Sequence, residues 1–392
     1  MVRFGRRRGR HMHTGGVVLA LDAMYESGGT RFAHLVAQTL HQDGEDVRLL
    51  VMREPDDDVR RFVPDPEVPL SYASAERLRL RQAIPAFTSG YFRAFRDSDV
   101  VVSCLEVGST MLLGAVFAKL ARRPFVSLVQ SPLEQSIAAW EPARLRPALA
   151  WANRHVDLAL CVSEGVRASV VANGLPPSKT AVLRVGADTA AVRAAGQPPL
   201  ARPEGAPPRI VAMGRLEPVK GFDVLVRASA LVKAAGLAHE IVIAGEGREK
   251  EALRRLIDDL GVDDCVRLTG FEAHPQPLLA GSDLFVLSSR FEGSGGTVLF
   301  EALVHAVPII ATDCVAGPAE VLDGGRYGRL IPVDDERALA DALIEFLRDP
   351  RDLRQRAAQG PERAHEYDQR EAARAMLREI DTRFGRARRR PR

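Results

Sequence analysis

Short apolar runs alternate with amphipathic segments along most of the 392-residue chain. In the first half, the apolar runs predict strands at residues 16–22, 47–52, 100–104, 125–129, 156–162 and 180–185. Apolar residues at helical spacing predict helices at residues 30–41, 75–96, 107–120, 133–154 and 164–172. Pro85, Pro142 and Pro147 fall inside predicted helices, and we expect the helices to be interrupted there. Strands that alternate with helices are typical of a parallel sheet covered on both faces.

The alternation stops in a segment rich in Pro, Gly and Ala at residues 194–208 and then restarts. Strands are predicted at residues 210–213, 240–244, 266–269, 284–287, 307–311 and 329–333, and helices at residues 223–235, 248–260, 297–305, 338–347 and 352–383. The pattern predicts an α/β fold with two Rossmann-like domains, residues 1–190 and 209–365, joined by a linker at residues 191–208. Residues 366–385 are expected to form a C-terminal helix, and residues 386–392 a basic tail.

The net charge of +3 is unevenly distributed, because arginines crowd both ends of the chain. Such runs are usually solvated tails that attract acidic membrane surfaces only weakly. We therefore favour solvated tails over membrane association, which stays open as the alternative, and expect no nucleic-acid partner. No apolar run is long enough to span a membrane, and the run after the first arginines is too short for a secretory signal. The four cysteines stand singly, which is typical of reduced core residues in a cytoplasmic protein.

No Cys or His spacing predicts a metal site. Asp56, Asp57 and Asp58 form an acidic run in a Pro-bounded loop, for which a metal site is one interpretation and a solvated loop the favoured one.

The most informative stretch is a Gly-rich turn at residues 288–303, which have the sequence SSRFEGSGGTVLFEAL. A predicted strand precedes the turn, and a helical pattern starts at Thr297. Free backbone N–H groups at a helix start favour an anion, and glycines let a phosphate approach closely. Glu292 and Glu301 are acceptor-only groups suited to hydroxyls. An anion site flanked by such carboxylates indicates a nucleotide sugar, and the competing interpretation is a tight turn with two solvated glutamates.

Two cations stand at the end of the first strand after the linker. Arg215 follows Gly214, and Lys220 precedes Gly221 just before a predicted helix. An Arg fork and a Lys point charge together suit a diphosphate, whereas either residue alone is more simply a surface cation. Glycines also end the next two strands, at Gly245 and Gly270, where a backbone that approaches a ligand and a plain turn are both open.

These segments, taken in order, resemble one family. They are GRLEPVKG at residues 214–221, AGEG at 244–247, LTGF at 268–271, SRFEG at 289–293, EAL at 301–303 and PIIATD at 308–313. The order resembles the retaining glycosyltransferases of the GT4 family, which have the GT-B fold. The resemblance covers residues 209–347 and is fainter in the first half, where the Gly28-Gly29 turn and residues 185–188 carry it. It implies two facing domains with a cleft between them and a last helix that crosses back onto the first domain.

The resemblance also implies roles for residues of this chain. Arg215 and Lys220 would hold the donor diphosphate, and Glu292 would contact the donor hexose and its distal phosphate. Glu301 would bind the ribose hydroxyls, and the backbone near Phe271 would receive the nucleobase. The implied donor site is completed by Gly214, Gly270, Gly293, Ser294, Gly295, Gly296 and Thr297. On the other domain, Gly28 and Gly29 would face the donor phosphates or the acceptor.

Two features depart from the family pattern. The family usually has seven residues between its paired glutamates, whereas eight separate Glu292 from Glu301. The extra residue falls in the Ser294–Gly296 turn and bears on the geometry of the phosphate loop and the role of Glu292. Many members also have a His near the end of a middle strand of the first domain, where this chain has Gln130. We therefore assign no histidine a catalytic role.

The implied activity is retaining transfer of a sugar from a nucleotide sugar to a hydroxyl acceptor, without a metal or another cofactor. A UDP-sugar is favoured over a GDP-sugar. The acidic residues Glu54, Asp56–Asp58, Glu106 and Glu134 favour an amine-bearing acceptor of the aminoglycoside type, and Glu106 is the candidate acceptor contact. The alternatives are an epimerase or phosphorylase on the same architecture, a Rossmann dehydrogenase, which the missing Gly-x-Gly-x-x-Gly disfavours, and a non-catalytic binding protein.

Overall fold

The computed structural model describes residues 15–25, 27–53, 61–73 and 80–385. The acidic run at Asp56–Asp58, Glu54 and the arginines of the first 14 residues and of residues 386–392 lie outside the described residues.

The first domain is a seven-stranded parallel sheet in the order β3-β2-β1-β4-β5-β6-β7. Its strands are β1 Val17–Leu21, β2 Val47–Val51, β3 Leu70–Tyr72, β4 Val100–Ser103, β5 Phe125–Val129, β6 Leu158–Cys161 and β7 Thr180–Val182. Its helices are α1 Gly28–Gln42, α2 Leu80–Arg96, α3 Gly108–Ala121, α4 Leu133–Trp140, α5 Arg146–Arg154 and α6 Glu164–Ala172. Every residue of β1 and β5 is buried, as expected of strands covered on both faces.

The helix α7 Thr189–Ala195 leads into the second domain, a six-stranded parallel sheet in the order β10-β9-β8-β11-β12-β13. Its strands are β8 Arg209–Met213, β9 Glu240–Ala244, β10 Val266–Gly270, β11 Leu284–Leu287, β12 Ile309–Thr312 and β13 Arg329–Ile331. Its helices are α8 Phe222–Ala234, α9 Lys250–Asp259, α10 Gln276–Ala280, α11 Thr297–Val304, α12 Pro318–Val321, α13 Glu336–Arg348, α14 Arg351–Ala357 and α15 Gly360–His365. This strand order reverses between β8 and β11, which is where doubly wound sheets bind ligands.

The last helix, α16 Gln369–Phe384, crosses back to the first domain, as the resemblance implied. Its apolar residues Ala373, Met376 and Ile380 are fully buried in the core of the first domain. Arg374 also pairs with Asp43 at the end of α1, at 2.8 Å. Both predictions of the fold class, α/β and two Rossmann-like domains, are confirmed.

Several local predictions differ from the structure. The short helices α7, α10 and α12 were not predicted, and α7 overlaps the predicted linker. Pro85 does not interrupt α2, because a helix whose Tyr91 and Phe95 are fully buried gains more from packing than one missing backbone donor costs. The three-residue edge strand β3 was not predicted. The stretch predicted as one final helix is divided into α14, α15 and α16.

No helix within the described residues is long and apolar enough to cross a membrane. All four cysteines are free thiols, and Cys104, Cys161 and Cys314 are buried. Burial raises the pKa of each of these three thiols to about 12, so they are inert core residues.

Candidate active site

Lys220 and Glu292 meet at the carboxyl edge of the second sheet. The Lys220 Nζ donates to Glu292 Oε1 at 2.5 Å, and the hydroxyl of Ser289 donates to the same oxygen at 2.6 Å. Glu292 is buried, with 7% of its surface exposed. The carboxylate is therefore held in a fixed position by a cation and a hydroxyl from two different strand ends.

The backbone around Lys220 requires glycine at the next position. A 3₁₀ turn, Pro218–Lys220, ends at Gly221, which has φ 60° in the left-handed region. A Cβ at Gly221 would lie 2.1 Å from the carbonyl oxygen of Ser288, so no side chain fits between the two strand ends. The Ser288 hydroxyl donates to the Lys220 carbonyl at 2.8 Å and fixes the same approach. Gly214 lies next to this turn, and a Cβ added at Gly214 would lie 3.6 Å from the Lys220 side chain.

The extra residue between Glu292 and Glu301 does not remove Glu292 from the site. The loop that contains it, Gly293–Gly296, packs against the β12–α12 loop, where a Cβ at Gly317 would lie 2.3 Å from the Gly295 amide nitrogen. Gly296 precedes α11 and faces the Glu292 carboxylate. A Cβ added at Gly296 would lie 3.3 Å from Glu292 Oε2. Ser294 is half-buried in the same loop. The loop thus places the first turn of α11 next to the Lys220–Glu292 pair.

Arg215 faces the other domain. Its guanidinium carbon lies 4.7 Å from the ring centroid of Trp140, the last residue of α4. A cation over an aromatic face at this distance is attracted by the ring quadrupole. Arg215 therefore crosses the cleft instead of lying along the surface of its own domain.

Glu301 is buried on α11 and has a specific partner. The side chain of Gln276 on α10 hydrogen-bonds the Glu301 carboxylate, and burial raises the pKa of Glu301 above its usual value. The Gln276 amide oxygen in turn accepts from His305 Nε2 at 3.0 Å. Because an ionised carboxylate only accepts hydrogen bonds, the amide nitrogen of Gln276 is the group that donates to Glu301.

Two helix N-termini face each other across the cleft. Gly28 and Gly29 begin α1, whose N-cap Ser27 accepts from the Thr30 amide at 3.2 Å. A Cβ at Gly28 would lie 3.5 Å from Thr297 Oγ1, in the first turn of α11. Neither helix has an acidic residue in its first turn. Both positive helix ends therefore point toward one gap, which favours an anion there.

The acceptor-side candidate Glu106 has internal partners. Its two carboxylate oxygens accept from the Ser136 hydroxyl at 2.7 Å and the Gln130 amide at 3.1 Å. It is buried, and burial raises its pKa. These bonds hold the loop between β5 and α4, so the geometry gives Glu106 a structural task, and its contact with an acceptor stays a prediction.

The domains touch through this loop and through α6. A Cβ at Gly293 would lie 1.7 Å from the Gln130 carbonyl oxygen, and the Ser163 hydroxyl donates to the Gly293 carbonyl at 2.7 Å. Beside them, the Glu164 amide donates to the Glu320 carboxylate at 2.9 Å. The Gly293–Gly296 loop of the second domain therefore packs directly against the first domain.

Gly270 and Phe271 lie at the end of β10. Phe271 is partly exposed, and the Gly270 carbonyl accepts from the Gly245 amide at 2.8 Å. No cluster of three or more His, Cys, Asp or Glu side chains within the described residues is arranged to hold a metal ion. Sequence reasoning gave no role to Trp140, Gln276, Ser163 or Ser289. The first three act across elements that no local pattern connects, whereas Ser289 bonds Glu292 three residues further along the same turn.

The chain resembles known glycosyltransferases over both of its domains. Residues 207–349 match the family model of the glycosyl transferases group 1, and residues 27–186 match that of the glycosyl transferase 4-like domain. The chain is 33% identical over 185 residues, 40% of its length and 45% of the relative's, to the uncharacterized glycosyltransferase MJ1059 of Methanocaldococcus jannaschii. It is 32% identical over 154 residues, 39% of either chain, to the alpha-D-kanosaminyltransferase of Streptomyces kanamyceticus. The chain spans less than half the length of these two curated relatives.

Among solved structures, Anabaena HepE in complex with UDP and glucose superposes with a TM-score of 0.74 at 18% identity, over 94% of this chain and all of HepE. At that identity the likeness concerns the fold. The two facing sheets and the cleft between them define a GT-B architecture. With both family models matched across its two domains, the chain belongs to the GT4-type glycosyltransferases.

Proposed function

We propose that this protein transfers a sugar from a nucleoside diphosphate sugar to a hydroxyl group of an acceptor, with retention of the anomeric configuration. The donor lies mainly on the second domain and the acceptor on the first. A UDP-sugar is the proposed donor, in line with the UDP in the HepE structure, and a GDP-sugar is the second choice. No metal or other cofactor takes part, and the proposed location is the cytoplasm.

The observation that carries the proposal is the set of positive groups around one gap. Lys220 lies beside the start of α11, Arg215 faces the cleft, and the N-terminus of α1 closes the gap from the opposite domain. A diphosphate bound there would meet two side-chain cations and two helix dipoles. Glu301 stands one helix turn further on, and its carboxylate is suited to a pair of ribose hydroxyls.

In the proposed reaction the bond between the anomeric carbon and the diphosphate oxygen breaks, and negative charge develops on the leaving phosphate. Arg215, Lys220 and the α11 N-terminus stabilise that charge. The acceptor hydroxyl forms its bond to the anomeric carbon on the same face, and its proton passes to the leaving phosphate oxygen. No protein nucleophile is required. The closely packed domains exclude water, which limits hydrolysis of the donor.

The donor is identified by thermal unfolding in the presence of UDP, GDP, ADP and dTDP. A ligand that binds the folded state raises the Tm according to its concentration and Kd. We expect the largest shift with UDP, unchanged by EDTA. If no nucleoside diphosphate raises the Tm, the donor site is wrongly assigned.

Transfer is then measured with UDP-sugars and a panel of hydroxylated acceptors that includes aminocyclitols, since one relative is named as a kanosaminyltransferase. Arg215→Ala and Lys220→Ala should each lower kcat by about 10²–10³, as removal of one stabilising donor does. Arg227→Ala, which removes an exposed cation on α8, is the charge-matched control and should retain activity. NMR of the product should show the donor's anomeric configuration. Full activity of the Arg215→Ala/Lys220→Ala double variant would contradict the proposal, and sugar conversion without acceptor would favour an epimerase.

A further inference from the structure

Three neighbouring helices of the first domain, α2, α3 and α5, form a layer without acidic residues. The segments at residues 80–96, 108–121 and 146–154 contain no Asp or Glu. In the fold α3 packs between α2 and α5. One outer surface of the domain is therefore built from helices that carry only positive or neutral side chains.

The cations of this layer gather at one end. All three helices run toward the edge at which the parallel strands β4, β5 and β6 begin, so their last turns lie side by side. The exposed cations there are Arg93, Arg96, Lys119, Arg122, Arg123 and Arg154. Asp97 and Asp99 follow α2, and Asp157 follows α5; Asp97 pairs with Arg96 at 2.7 Å. Six cations against these three carboxylates give a local net charge of +3. The surface is left with a net positive charge.

Large apolar side chains are exposed among these cations. Leu120 is 69% exposed, while Phe92, Val116 and Trp151 are each 40–45% exposed. The Lys119 Nζ lies 5.0 Å from the Trp151 ring centroid, which joins α3 to α5 across the surface. Single exposed apolar residues are common, but a group of four that is surrounded by cations marks an interaction site. We name the exposed residues Phe92, Val116, Leu120 and Trp151, together with the six cations, the basal surface.

We propose that the basal surface binds the headgroup region of an anionic lipid bilayer. Cations attract acidic headgroups, and aliphatic or aromatic side chains enter the interface between headgroups and acyl chains. Trp and cations with long stems are suited to that boundary, because each combines an apolar body with a polar end. Leu120 and Val116 gain nothing from a nucleic-acid backbone, so a lipid surface fits the composition better than RNA or DNA does.

The basal surface lies at the edge of the sheet opposite the cleft. Gly108, where α3 begins, is beside Asp22 at the carboxyl end of β1, whereas Leu120 is one residue from the other end of the helix. The surface therefore acts as an anchor separate from the donor site, and the inference does not depend on the proposed reaction. It differs from the expectation drawn from the sequence, which rested on the arginine-rich ends of the chain.

The test is cosedimentation of the full-length protein with vesicles of phosphatidylcholine alone or mixed with phosphatidylglycerol. We expect binding to the mixed vesicles only, and weaker binding as salt is raised. Leu120→Glu should lower the partition coefficient at least tenfold and leave the Tm and UDP binding unchanged. The matched control is Leu231→Glu, which adds the same charge at a 40% exposed leucine of α8 in the second domain and should bind like the wild type.

A second measurement separates the basal surface from the arginine-rich ends. The chain has two tryptophans, so Trp140→Phe leaves Trp151 as the only tryptophan, and its emission is excited selectively over that of tyrosine. Brominated lipid in the mixed vesicles should quench Trp151. The proposal is wrong if Leu120→Glu and Leu231→Glu bind equally well, if the protein binds while Trp151 stays unquenched, or if it binds a double-stranded RNA and not the vesicles.

Discussion

Arg215 and Trp140 face each other across the cleft, with 4.7 Å between the guanidinium carbon and the ring centroid. One residue belongs to the proposed diphosphate site and the other to the end of α4 in the first domain. A cation–π contact of this kind is worth about 0.5–2 kcal/mol. Any ligand that draws Arg215 toward a phosphate must change the surroundings of this indole.

We therefore expect Trp140 to report donor binding. Titration with UDP should change the intrinsic fluorescence of the wild type and of Trp151→Phe, but not of Trp140→Phe. Arg215→Ala should abolish the response because the cation beside the ring is gone. A response that persists in Trp140→Phe would show that the emission change arises at Trp151 instead.

Lys220→Ala is expected to destabilise the fold as well as the reaction. It leaves the buried Glu292 carboxylate without its cation, and the loss of one partner of a buried ion pair costs about 3 kcal/mol. Urea unfolding measures the change. Adding Glu292→Gln to this variant should recover most of the stability without restoring transfer, which separates the structural task of the pair from its proposed task in catalysis.

Gly165→Val should disturb the contact between the domains more than it disturbs the proposed donor site. A Cβ at Gly165 of α6 would lie 2.7 Å from the Ala316 Cβ of the second domain. The domains would have to separate, so we expect kcat to fall by about 10², as misplacement of reacting groups does. The Kd for UDP should change by a smaller factor than kcat, because Ala316 adjoins Gly317, which packs against Gly295 of the donor loop. Ala168→Val, on the exposed side of the same helix, is the control, and equal activity of the two variants would contradict this prediction.

Gln276→Leu should weaken nucleotide binding through Glu301. Without the amide, the buried carboxylate loses its hydrogen bond and its fixed orientation, and we expect the Kd for UDP to rise about tenfold, equivalent to one hydrogen bond to a charged group. Binding of inorganic pyrophosphate, which has no ribose, should be unaffected. Gln38→Leu removes a side chain that bonds Asp65 away from the site and serves as the control. Equal losses for UDP and pyrophosphate would point to general disruption of the loop.

Glu106 predicts a pH dependence of stability. Burial raises its pKa, so the folded state holds a proton that the unfolded state releases over the interval between the two pKa values. The contribution of Glu106 to stability is fully present below its pKa in the unfolded state. It is lost as the pH rises through its pKa in the folded state. Glu106→Gln keeps an oxygen for the Gln130 amide but cannot ionise. The Tm of the wild type should therefore rise relative to this variant as pH falls from neutral, and parallel curves would refute the prediction.

The two sheets were predictable because their strands are short, continuous apolar runs bounded by polar segments. The strand β3 of the first domain was not predicted, because its three residues lie at a half-exposed edge and do not form a continuous apolar run. The helix α2 was predicted with a break because Pro85 is a strong local signal. The burial of Tyr91 and Phe95, which stabilises the helix despite Pro85, depends on distant parts of the chain.

The candidate site was predictable where backbone chemistry shows in the sequence. Gly221 and the Gly293–Gly296 turn are needed for close backbone approaches, and glycine is visible in any sequence. Lys220 and Glu292 were each predicted to belong to the site, but the ion pair between them was not predicted. Trp140 and Gln276 could not be found in this way, because their partners Arg215 and Glu301 come from distant elements or from the other domain.

The position of α16 has a consequence for the order of folding during synthesis. Ala373 and Met376 complete the core of the first domain, yet the ribosome makes them after the whole second domain. During synthesis the first domain therefore keeps an uncovered apolar groove along α1 until α16 has been made. A chain that stops before residue 369 would keep this groove exposed and would be prone to aggregate.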